Sequence, residues 1–180
     1  MTRKDIDLLH PIHPWHQPYI RLTDDLPVLE VLASHQELFE ANDRQLLEKM
    51  NHLTYAPGKW TVRDILQHLS DTERILSYRA LRIARNDQTP LPGFDEDTFS
   101  KFTNASYRSI NSLLDELDLV VQGTAALFES FDMTMLRRTG TCSGVRISAF
   151  ALGYIIAGHA LHHRQILRER YFPLLSSGSF

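Results

Sequence analysis

The sequence predicts an all-α fold, a four-helix bundle whose helices run up, down, down and up. Three observations carry this expectation. Apolar residues recur at three- and four-residue spacing in four long segments, and no strand-like alternation extends beyond a few residues. One of the connections is also long enough to return the chain along the whole bundle.

The first helix spans Pro27 to Met50, with Val28, Leu29, Leu32, Leu38, Phe39, Leu46, Leu47 and Met50 in helical register and no internal Gly or Pro. Pro57-Gly58 breaks the chain. The second helix starts near Thr61, an N-cap residue with Asp64 three positions on, and ends at Arg85–Asn86, where basic residues suit a carboxyl terminus. The segment "DQTPLPGFDEDTFSKFTNAS" (87–106) follows, irregular at its prolines, with a short helical turn near Glu96. The third helix covers Tyr107 to Phe131. The stretch "RRTGTCSGVR" leads to the fourth, Ser148 to Tyr171.

A 25-residue helix is about 37 Å long, and a 20-residue extended segment reaches at most about 66 Å. The 87–106 connection therefore permits a crossover that leaves the second and third helices parallel. Residues 1–25, interrupted by "HPIHPWHQP", read as an extended N-terminal arm packed by Trp15 and Tyr19, with His10, His13 and His16 at every third position. Residues 26–173 form the bundle and 174–180 a C-terminal tail.

Composition narrows the function. At 180 residues, 43% apolar and 23% charged, the chain can bury one core unaided. Acids and bases are interspersed with a net charge of −3, which disfavours nucleic acid and anionic membranes as partners. The uncharged run from Ile147 to His163 is shorter than the roughly 18–20 apolar residues of a membrane span. A lone cysteine, Cys142, excludes an internal disulfide and fits a reducing compartment. The start of the chain lacks the apolar run of a signal peptide, so a cytoplasmic location is expected.

Three histidines fall within "GHALHHRQ" (158–165). At about 100° per residue, His159 and His163 each lie about 20° from the centre of the apolar arc of Leu152, Ile155, Ile156, Ile166 and Leu167, whereas His162 lies about 80° away. His159 and His163 are the inward pair. Two titratable rings on one apolar face are costly unless something polar meets them. In an antiparallel pairing of the second and fourth helices, His68 is about 10 Å from one end and the His159–His163 midpoint about 15 Å from the same end. His68 is thus the best candidate for a third donor.

Three neutral imidazoles suit zinc or nickel, with iron, cobalt and manganese also within reach of such a set. Three protein ligands leave positions for water or substrate, as in catalytic sites. Asp64, Asp71 and Thr72, the polar residues nearest His68, are candidates to orient it or a bound water. Arg79, Arg82 and Arg85 near the end of the second helix are candidates for binding an anionic substrate or cofactor. The zinc-protease motif H-E-x-x-H fails here, because Ala160 occupies the place of its general base.

"APGKWTVRDILQHLSDTERILSYRALRIARNDQTPLPGFDEDTF" together with "ALGYIIAGHALHHRQILRERY" resembles the DinB-like superfamily, near its YfiT-type branch, over residues 20–173. The resemblance implies a four-helix bundle of up-down-down-up topology and a divalent metal on His68, His159 and His163. Many relatives carry glutamate where this chain has Ala160. For activity, it implies a metal-dependent hydrolase or a transferase that uses a low-molecular-weight thiol, acting on a small molecule, with a homodimer as a common assembly. The alternative is a non-catalytic, stress-related bundle in which the metal is structural or sensory. A DNA polymerase is excluded by the short, acidic chain without paired metal-binding carboxylates.

Overall fold

A helix that is apolar on every side has to be enclosed, and this decides the architecture. In the computed structural model of the protein, which describes residues 1–36, 38–50 and 52–176, every residue from Ala149 to Ala160 is buried. These residues form most of the last long helix. In chain order the helices are α1 (Gln17–Leu22), α2 (Val28–His35), α3 (Ala41–Met50), α4 (Val62–Ala84), α5 (Glu96–Lys101), α6 (Ile110–Glu129), α7 (Met133–Arg137), α8 (Ala149–Ile166) and α9 (Phe172–Ser176). α8 packs against α1, α2 and α4, and α6 packs against α4 and α2. Among the described residues, no helix is long and apolar enough to cross a membrane.

Local chemistry sets the helix starts. Thr61 and Asp64 form a full capping box at the head of α4, while Ser109 and Ser148 cap α6 and α8 through their hydroxyls. The third long helix accordingly begins at Ile110, after a 3-10 turn over Ala105–Tyr107, and not at Tyr107. The helical turn expected near Glu96 is α5, capped by Asp95.

The expected first helix, Pro27 to Met50, is two helices. Between α2 and α3 the Phe39 carbonyl accepts from Arg44 Nε at 3.2 Å, and the Leu38 carbonyl accepts from Arg164 Nη1 at 3.3 Å. Arginines thus satisfy carbonyls that a continuous helix would satisfy internally. Arg44 also grips both Asp118 oxygens at 2.7 Å, which ties the break to α6. His35 closes α2 by meeting Glu73 of α4 at 3.0 Å, both side chains being buried.

The expected extended arm is also corrected. Residues Arg3–Leu8 form a 3-10 turn that buries Ile6, and α1 buries Ile20; Pro18 is tolerated because it sits in the first turn. His10 fastens the arm to the head of α8. Its Nε2 accepts from the Ser148 backbone N–H at 3.0 Å, which places the ring proton on Nδ1, 3.1 Å from the Pro11 carbonyl.

A hairpin of β1 (Thr139–Cys142) and β2 (Val145–Ser148) precedes α8, with Thr139 opposite Ser148 and Cys142 opposite Val145. Ser143 and Gly144 both take positive φ, 52° and 76°, the requirement of a two-residue primed turn. Leu91 of the crossover joins this hairpin, donating to the Thr141 carbonyl and accepting from Ser143 N–H, each at 2.9 Å. After Ile166 the helix widens to a π-turn over Leu167–Tyr171 and resumes as α9. Of the expected tail, 174–176 belong to α9 and 177–180 lie outside the described residues.

Of the described glycines, Gly158 has the tightest surroundings. A β-carbon there would lie 2.0 Å from the Tyr19 carbonyl oxygen, so the backbones of α1 and α8 touch. Gly158→Ala is expected to push α1 away and destabilise the protein by about 2–3 kcal/mol, as overpacking against an unyielding neighbour does. Urea unfolding measures this, and an unchanged midpoint would contradict the contact.

Candidate metal centre

α4 supplies His68, on the seam between its buried face and solvent, and α8 supplies His159 and His163 one turn apart. His159 is buried, while His68 and His163 are half-buried. The ring centroids of the three lie 4.6–4.9 Å apart, and their candidate ligand nitrogens are all within 4.8 Å of one another. His68 Nε2 and His159 Nε2 are 2.9 Å apart. Nitrogens bound at about 2.1 Å to one tetrahedral ion would be about 3.4 Å apart. The observed separations, from 2.9 Å to at most 4.8 Å, bracket that spacing. Among the described residues this is the one such group.

Electrostatics keeps the three rings neutral. Burial pushes His68 down to about 4. Burial, then the neighbouring His68 and His162, pushes His163 down to about 3. His159 is held well below its ordinary value, by burial and then by His163 and His68. Neutral imidazole is the metal-ligating form. The buried Nδ1 of His163 has no hydrogen-bond partner among the described residues, an unusual cost for a ring held only by packing.

Of the polar residues flanking His68 on α4, Thr72 is the one that touches it, with Oγ1 3.3 Å from His68 Nδ1. Asp64 is instead committed to the capping box, where it accepts from Thr61 N–H at 2.9 Å. Asp71 accepts from Gln67 at 3.0 Å and lies 3.8 Å from Arg74. Among the described residues neither carboxylate makes a hydrogen bond to His68.

The cluster forms one wall of a cavity of about 880 Å³. Trp60 packs beside His68, at 4.7 Å, and stacks over His163, at 6.4 Å. Tyr19 of α1 lies 5.5 Å from both His159 and His162. His162 lines the cavity outside the three-ring group, on the flank its helical position predicts. Arg79 also lines the cavity. Arg82 does not, being paired with Asp87 and Tyr78, and Arg85 lies over the Phe131 ring. Cys142 is buried, and burial raises its pKa, so it is a poor nucleophile.

The helical periodicity did not reveal the rest of the wall. Trp15 and His16 of the arm, Phe94, Glu96 and Asp97 of the crossover, and Ser143 of the hairpin turn all line it. The arm histidines do not form a second cluster. His10 is used at Ser148, while His13 packs edge-on to Trp15 and His16. Clustered aromatics in a proline-rich arm were the available signal that it lies against the protein.

A family model described as the DinB superfamily matches residues 19–167. The chain is similar in structure to YfiT from Bacillus subtilis, described as a probable metal-dependent hydrolase with an unusual four-helix bundle topology. The TM-score is 0.65 at 18% identity, covering 92% of this chain and 91% of that one. None of the curated proteins matches.

The depressed histidines have a stability consequence in metal-free protein. Once unfolded, each ring takes up a proton near its ordinary value of about 6.5, whereas the folded His68 and His163 resist protonation down to about 4 and 3. Between those limits the unfolded chain binds more protons. Stability is therefore full above about pH 6.5 and falls as the pH drops through that window. The urea midpoint is expected to decrease from pH 7 to pH 4.5, and His163→Phe is expected to flatten the slope. Equal slopes in the two proteins would show that His163 is not buried neutral.

Proposed function

The chain belongs to the DinB superfamily, and from that premise we propose that it is a metal-dependent enzyme acting on a small molecule, with His68, His159 and His163 holding a divalent ion, zinc or nickel. The observation that carries this reading is the convergence of three neutral imidazoles, from two helices, on the wall of a cavity large enough for a substrate. A purely structural ion favours four protein ligands and a closed sphere. Here three donors face open space.

When bound, the ion supplies Lewis acidity and lowers the pKa of a water or thiol that it holds. The chain's own residues do the remainder. With the His68 ring proton on Nδ1, the Thr72 hydroxyl oxygen 3.3 Å away would accept from that N–H and leave the Nε2 lone pair directed at the cluster. Trp60 and Tyr19 restrict ring rotation and cover the rings from water. With Ala160 in place of a carboxylate on α8, the acids that line the cavity are Glu96 and Asp97. Similarity to a protein described as a probable metal-dependent hydrolase favours hydrolysis over thiol transfer as the reaction. In this reading the α2–α3 segment, α4, α6 and α8 run up, down, down and up within a single unit over residues 26–173, and the crossover supplies part of the substrate wall.

His68→Ala, His159→Ala and His163→Ala are each expected to abolish stoichiometric zinc or nickel binding, whereas His162→Ala retains it; metal analysis of dialysed protein reads the outcome. Retention by all three variants would overturn the ligand set. Thr72→Val is expected to weaken metal affinity by about 10- to 100-fold without changing stoichiometry, as measured by competition with a chromogenic chelator. An unchanged affinity would release Thr72 from that role. A panel of esters, amides and thiol adducts then tests turnover, and metal-loaded protein inert on all of them would favour a non-catalytic role.

A further inference from the structure

We propose that Arg79 anchors an oxyanion of the substrate, so that the cavity takes small molecules with a carboxylate or phosphate head, a short apolar middle and a reactive group at the imidazole end. The proposal rests on the cavity being the reaction site and adds the class of molecule that enters it.

Arg79 is only 8% exposed. Taking a charge out of water is expensive unless a counter-ion compensates it. Three more exposed arginines on the same helix or nearby have one: Arg74 and Arg108 pair with Glu116, and Arg82 pairs with Asp87. Arg63 and Arg85 are without one among the described residues, but both are more exposed than Arg79. Among the described residues, Arg79 has no carboxylate partner. Its Nη2 donates to the Pro92 carbonyl at 2.7 Å and to Ser143 Oγ at 3.2 Å, and the Phe94 ring lies 5.9 Å from the guanidinium carbon. These partners are neutral. They fix the plane of the group without cancelling its charge, and of its five N–H donors those on Nε and Nη1 make no hydrogen bond among the described residues. A planar guanidinium held in place with donors unspent is suited to a carboxylate or phosphate.

Its position gives the substrate a shape. Arg79 follows His68 by eleven residues on α4, which is about 16 Å along the axis and only about 20° around it. Both side chains face the one cavity, and helical side chains lean toward the amino terminus, which brings the guanidinium closer to the imidazoles. Leu76, between them along α4, and Ile155 line the cavity and give it apolar surface. Glu96 and Asp97 line it too and make no ion pair with Arg79. They repel an anion from their side and leave Arg79 as the place where one is favoured.

Trp15 and Trp60 line the cavity, so tryptophan fluorescence of metal-free protein reports occupancy. Hexanoate, hexyl phosphate and uncharged hexanol are titrated separately. Either anion is expected to bind at least about tenfold more tightly than hexanol, and the tighter of the two identifies the head group as carboxylate or phosphate. Arg79→Met is expected to lose that advantage and leave hexanol binding unchanged. Arg79→Lys keeps the charge but not the fork and is expected to fall between the two. Equal binding of anions and hexanol, no saturable anion binding, or wild-type anion affinity in Arg79→Lys and Arg79→Met would each overturn the proposal. If Arg79→Met does not fold, the lysine variant and the hexanol comparison decide. Zinc stoichiometry of the same wild-type protein separates the two readings: anion binding without zinc binding defeats the metal centre alone, and zinc binding without anion selectivity defeats the anchor alone.

Discussion

Everything in this protein is arranged around the need to enclose α8. A helix buried along its whole first half offers no solvent face, so partners must cover it from several sides. α4 and α2 do so as full helical neighbours. α1 does so by backbone contact, which Gly158 alone on that helix surface makes room for. The hairpin and the 3-10 turn at Arg3–Leu8 complete the enclosure around the head of α8. Without this helix the short elements have no surface large enough to order them.

The same enclosure creates the chemistry. Where α8 turns from wholly buried to half-buried, after Ala160, its apolar surface is interrupted by His159 and His163, and His68 meets them across the α4 seam. Imidazoles in ordinary water would be partly protonated near pH 6.5. At the seam burial holds them neutral, so lone pairs are present at neutral pH without the competition of protons. The helix that organises the core therefore also presents the donor set. The cavity stays open because its opposite wall comes from loops and the arm rather than from another long helix.

Much of this was readable from local pattern. The capping box at Thr61 and Asp64, the inward positions of His159 and His163, and the flank position of His162 follow from helical periodicity, which acts over one or two turns. What periodicity could not supply is whatever depends on distant partners. The break between α2 and α3 is held by Arg44, Arg164 and Asp118, none of which differs in sequence from an ordinary surface residue. The hairpin strands are four residues each, too short for alternation to register, although Ser143-Gly144 marks their turn. Thr72 was separable from Asp64 and Asp71 only once the hydrogen bonds of the two acids were assigned. The cavity wall at Phe94 and Ser143 depends on Leu91 pairing with the hairpin, a contact across about fifty residues that leaves no local trace.

The bond between His10 and Ser148 spans 138 residues of sequence. A chain synthesised from its amino terminus therefore makes His10 and its neighbours long before their resting place exists. The arm cannot dock until the hairpin and the head of α8 have left the ribosome, and closing so long a loop is an entropic cost that local contacts do not share. Trp15, His16 and Tyr19 travel with that arm, so their side of the cavity is among the last parts to assemble. A nascent chain that carries all of α4 and His68 but not yet the hairpin and α8 has no finished cavity, and that wall closes only after the head of α8 has been made.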